Sequence, residues 1–66
     1  MNDFIEFHRN IGYEPVLINK QYIVAVYTVT ISVVDNIVVT QIDTVDEQGF
    51  KVNESYDEVM ALLMKK

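Results

Sequence analysis

The stretch Gln21-Tyr22-Ile23-Val24-Ala25-Val26-Tyr27-Thr28-Val29-Thr30-Ile31-Ser32-Val33-Val34-Asp35-Asn36-Ile37-Val38-Val39-Thr40-Gln41-Ile42 decides the fold. It carries one charge, Asp35, in 22 residues, so by length and polarity alone it resembles a membrane-spanning helix. Its residue types argue otherwise. Most positions are β-branched, and a branched Cβ restricts χ1 in a helix while suiting a pleated surface. Asp35-Asn36 divides the run at the point where a tight turn is needed. The reading is two strands in a hairpin, with no membrane insertion.

Within the first strand, strict alternation sets Ile23, Ala25, Tyr27, Val29, Ile31 and Val33 on one face. Tyr22, Val24, Val26, Thr28, Thr30, Ser32 and Val34 occupy the other, and these seven are the candidate interface residues. No Lys or Arg occurs between Lys20 and Lys51. Edge strands are normally guarded by Lys, Pro or bulges, because an open edge recruits other strands. A strand this long and unguarded either lies at the centre of a sheet or is an edge that pairs with another chain.

On the N-terminal side, Ile5 and Phe7 alternate with Glu6 and His8, the period of a half-buried strand. Asn10-Ile11-Gly12 supplies a turn, and Tyr13 to Ile18 returns with Pro15 at a strand start or edge. On the C-terminal side, Asp43 to Gly49 forms an acidic loop and Phe50 to Val52 a short last strand. The period then changes. Ser55-Tyr56-Asp57-Glu58 has the spacing of a capping box, with Ser55 and Glu58 as its two members. Tyr56, Val59, Met60 and Leu63 follow at helical spacing, predicting a helix over about 55–65 with Lys65-Lys66 at its positive-seeking end. The expected core is Ile5, Phe7, Leu17, Ile23, Val29, Ile31, Val59, Met60 and Leu63.

The chain has 66 residues, net charge −5, a single histidine and no cysteine. It therefore forms one domain, spanning 1–66, without a disulfide or Cys-based zinc site. Nothing at the N-terminus has the basic-then-apolar pattern of a targeting segment, and a cytoplasmic location is expected. The acidic balance argues against nucleic acid as a partner, because that affinity comes largely from Lys and Arg on phosphates. His8 alternates with apolar neighbours and reads as an exposed strand residue. The acidic loop fails as an EF-hand: placing Gly49 at the sharp turn puts Thr44 first and Ser55 last, where acids are required. No catalytic residue, cofactor site or metal site is assigned. A domain this small rarely gains more than ~3–5 kcal/mol from one core, so with no disulfide a second copy of the chain is the expected support.

Ile5-Glu6-Phe7-His8-Arg9, Gly12, Val16-Leu17-Ile18-Asn19 and Ile23 resemble the start of the small flagellar FlbD/SwrD proteins. Val52-Asn53-Glu54-Ser55-Tyr56-Asp57-Glu58-Val59 is similar to their ending, while Val24 to Gly49 is longer than in that family. The resemblance implies a cytoplasmic accessory protein linked to motility, acting by contact. The order of five strands and a final helix is also similar to the carbon storage regulator, an interlocked dimer that binds RNA. There a basic residue beside the helix start contacts RNA; here that neighbourhood is acidic, so only the dimeric architecture is implied.

The expectation is an α+β domain: a five-stranded, mostly antiparallel sheet or partly closed small barrel, with one C-terminal helix. Its expected role is that of a non-catalytic interaction or adaptor protein that forms a homodimer or higher oligomer and contacts an unknown protein partner. The alternative is a small regulator, of the kind phages and mobile elements encode, that holds a nucleic-acid-binding protein through acidic surface.

Overall fold

The computed structural model describes residues 3–65. Strands β1 (Phe4–His8) and β2 (Pro15–Asn19) form an antiparallel hairpin, with Phe7 opposite Val16 and Ile5 opposite Ile18. A 3₁₀ turn, Lys20–Tyr22, leads into β3 (Ile23–Ser32), followed by β4 (Ile37–Thr44) and β5 (Gly49–Val52). These three form a second antiparallel sheet in the order β3-β4-β5. Helix α1 spans Tyr56–Leu63. The architecture is α+β as expected, with five antiparallel strands. They are divided between two small sheets, however, and no barrel closes. Among the described residues a single bridge, Arg9 to Val52, joins the sheets, flanked by Asn10 N–H to Lys51 O (2.9 Å) and Asn53 N–H to His8 O (2.7 Å).

The turns follow from local chemistry. The β3–β4 turn at residues 33–36 is closed by Asn36 N–H donating to Val33 O, with Asn36 in the left-handed region. Asn tolerates that conformation better than most residues. The β1–β2 loop is more strained: Ile11, Gly12 and Tyr13 all have positive φ, at 77°, 95° and 57°. Gly12 adopts this freely, whereas a β-branched Ile does so at a cost. At Ser55 the capping box forms in full: Glu58 N–H donates to Ser55 Oγ (3.1 Å) and Ser55 N–H to Glu58 Oε1 (2.9 Å). The helix is shorter than expected, capped at Met64, so Lys65 falls beyond it; Lys66 lies outside the described residues.

Phe7, Ile18, Ile42, Val52 and Val59 are buried together, surrounded by Ile5, Val16, Ile23, Val26, Phe50, Leu62 and Leu63. Each strand and the helix contribute at least one side chain. Expected members Phe7 and Val59 are at the centre, with Ile5, Ile23 and Leu63 around them. Four expected members are not. Leu17 is 63 % exposed, because β2 turns Ile18 inward instead. Alternation cannot choose a face within the apolar run Val16-Leu17-Ile18; the pairing with Ile5 and Phe7 does. Met60 is half-buried outside the cluster.

Val29 and Ile31 miss the core for a different reason. The β3–β4 register jumps from Ile23–Thr44 to Ala25–Asp43, so Val24 is an extra, bulged residue. A one-residue bulge exchanges the faces of everything beyond it. Ile23 points inward before the bulge, and Val26, opposite buried Ile42, points inward after it. Tyr27 and Val29 therefore turn to the opposite face. A second irregularity between Thr30 and Ser32 leaves Ile31 43 % exposed.

Candidate interaction surface

The bulges also redistribute the seven candidate interface residues, which do not share one face. Tyr22 belongs to the 3₁₀ turn and Val24 is the bulge. Val26 packs against the core, while Thr28 and Thr30 are exposed on the same face. Ser32 receives the Asp35 N–H on its hydroxyl (3.2 Å), and Val34 sits in the hairpin turn, 95 % exposed. What unites Val26, Thr28 and Thr30 is their backbone.

Their direction follows from the neighbouring strands. Thr44 N–H donates to Gln48 O and Thr44 O accepts from Glu47 N–H, both at 3.0 Å, so the Thr44 peptide groups face the β5 side. Alternate residues of an antiparallel strand turn their N–H and C=O the same way. Ile42 and Thr40 therefore face β5, and Asp43, Gln41 and Val39 face β3. The β3 partners of the latter three, Ala25, Tyr27 and Val29, complete that ladder. Val26, Thr28 and Thr30 consequently present their N–H and C=O groups away from β4. The phase agrees on β5, where Lys51 O accepts from Asn10 N–H on the side away from β4.

β3 is thus an edge strand, with β4 in the centre of the sheet. Of the two placements the sequence allowed, the central one is excluded. Among the described residues no strand pairs with the outer side of β3. The residues from Gln21 to Val34 offer no charge to guard it. Of the remaining edges, β1 and β5 meet at the Arg9–Val52 bridge, and β2 is shorter than β3, begins at Pro15 and is flanked by Glu14 and Lys20. β2 is thus guarded by Pro and charge, whereas β3 has only its bulges, one at Val24 and one between Thr30 and Ser32, which leave Ala25 to Thr30 a regular, uncharged edge.

His8 Nδ1 lies 2.8 Å from Glu54 Oε2, and His8 N–H donates to Glu54 Oε1 at 3.0 Å. Its Nε2 lies 3.3 Å from Glu6 Oε2. The hydrogen bond to Glu54 raises the His8 pKa above its ordinary value, outweighing the opposing effect of desolvation, and the charges of Glu54 and Glu6 add to it. Burial alone would raise the Glu54 pKa, but its bonds to the His8 ring and backbone hold it below its ordinary value. With a carboxylate at each ring nitrogen, the charged imidazole is favoured and no nitrogen is left as a base. The cluster ties β1 to the start of α1, a contact between residues 46 apart that no local pattern announces.

A groove of about 160 Å³ runs between the β1–β2 hairpin and the other sheet, lined by Phe4, Leu17, Tyr22, Thr44 and Phe50 among others. Small-molecule sites usually have ~300–1,000 Å³, so this one suits an apolar side chain rather than a cofactor. On the outer face, Tyr27 OH donates to Asp43 Oδ2 (2.8 Å), which raises the Tyr27 pKa, and Gln41 Nε2 donates to Asp43 Oδ1 (3.1 Å). No protein-family model matches the chain, and neither a curated protein nor a solved structure matches it.

Proposed function

We propose that this chain is a non-catalytic interaction protein that acts by contact and self-associates through the outer edge of β3. One observation carries the reading: a long, uncharged strand with unpaired backbone groups on its outer side. Such an edge gains hydrogen bonds with the strand it meets, and between its two bulges neither charge nor proline opposes that pairing. The engagement of both His8 nitrogens supports contact rather than chemistry at that cluster.

Size-exclusion chromatography with light scattering at low micromolar concentration tests it. A dimer or larger assembly is expected, and a stable, fully folded monomer overturns the proposal. The exposed acids Asp46, Glu47, Asp57 and Glu58 favour a second reading, in which the chain holds a basic, nucleic-acid-binding protein by charge. A complex with such a protein that dissociates as salt rises would support that reading.

A further inference from the structure

Resting on the proposal that the chain self-associates through β3, we infer the register: two copies pair antiparallel, β3 to β3, with the two-fold axis at Thr28. The outward peptide groups belong to Val26, Thr28 and Thr30, which are spaced symmetrically about Thr28. An axis there sets Thr28 opposite Thr28 of the second copy, and Val26 opposite its Thr30, twice. Every outward N–H then meets an outward C=O. Moving the axis to Tyr27 sets Thr30 opposite the bulged Val24, and moving it to Val29 sets Val26 opposite Ser32, past the second irregularity. Either shift leaves outward groups without partners, so the Thr28 axis makes the most bonds.

The side chains agree with this register. On one face Thr28 meets its own copy, a pairing that lets the two hydroxyls hydrogen-bond. On the other, Tyr27 lies opposite Val29, twice. Aromatic against β-branched is a favourable cross-strand pair, and Tyr27 is exposed in the single chain. Charge selects the direction. The uncharged run ends at Lys20 and Asp35. Antiparallel pairing brings the Lys20 end of each copy beside the Asp35 turn of the other, whereas parallel pairing sets like beside like. The result is a closed, isologous dimer with a continuous six-stranded sheet, ordered β5-β4-β3-β3-β4-β5.

Because the chain has no cysteine, single-Cys variants report the register directly. In a hydrogen-bonded antiparallel pair the Cα atoms are ~5.5 Å apart, within the span of a disulfide. Thr28→Cys is expected to form a covalent dimer on mild oxidation. Val26→Cys alone and Thr30→Cys alone are expected to lose that cross-link, and the two mixed together to regain it as a heterodimer. Light scattering on the unmodified chain runs alongside. A dimer that cross-links at another position, or at none of these, overturns the register and leaves self-association standing. A monomer throughout overturns both.

Discussion

Replacing Ile42 and Ile31 each by Val tests the face exchange at the Val24 bulge, because the substitution is the same and only its surroundings differ. Ile42 is fully buried in the central cluster, whereas Ile31 is 43 % exposed and outside it. Removing one methylene from a packed core costs about 0.5–1.5 kcal/mol. In a domain of this size each kcal/mol moves Tm by roughly 4–8 °C, so Ile42→Val should lower Tm by roughly 2–12 °C. Substitutions away from the core usually stay within ~0.5 kcal/mol, so Ile31→Val should move Tm by less than about 4 °C. Thermal melts followed by circular dichroism give both values. Repeating them over a tenfold range of concentration separates any contribution from association. Alternation without a bulge puts Ile31 in the core. An Ile31→Val loss equal to or larger than that of Ile42→Val would refute the bulged register.

Three further outcomes are expected. The His8–Glu54 pair should contribute most between about pH 4.5 and 6.5, the ordinary values of the two groups. The Glu54 part is present above the ordinary Glu value and lost as pH falls through its lowered one; the His8 part is present below the ordinary His value and lost as pH rises through its raised one. Melts against pH should show this maximum flattened in Glu54→Gln, and an unchanged profile would sink the pair's role. Ser55→Ala, which removes the acceptor for Glu58 N–H, should cost about 1 kcal/mol in a denaturant titration. Ile11→Gly should not destabilise: a left-handed L-residue costs ~1–2 kcal/mol, against ~0.5–1 kcal/mol for the freedom glycine gains in the unfolded chain. A clear loss of stability in that variant would mean that Ile11 makes a contact its 86 % exposure does not suggest.

Much of the fold is legible in single residues. Glu6 and His8 fix the phase of β1, Asp35-Asn36 locates the hairpin turn, and Ser55 with Glu58 marks the helix start. Each is a local signal, decided within a few residues of chain. The remainder depends on pairing. Val24 looks like any other β-branched residue, and only the register against Thr44 and Asp43 reveals it as a bulge. Leu17 and Ile18 are interchangeable until Ile5 selects one. The candidate site was legible as a strand too apolar to be an ordinary edge. Which of its residues turn their backbone outward is set by Thr44 and Gln48, on other elements, and is invisible to periodicity.

The central claim is that the outer edge of β3 joins two copies of the chain. Thr28→Pro addresses it at the centre of the proposed pairing, where the fold and the assembly make opposite demands. The Thr28 N–H takes no part in the β3–β4 ladder, so proline there leaves the internal pairing intact. In the assembly it deletes both central N–H donors and sets a ring against the second strand. Light scattering, with circular dichroism to follow the fold, should give twice the mass of one chain for the unmodified protein and a folded single chain for Thr28→Pro. An unmodified protein that is already a single chain, or a Thr28→Pro variant that still assembles, would contradict it.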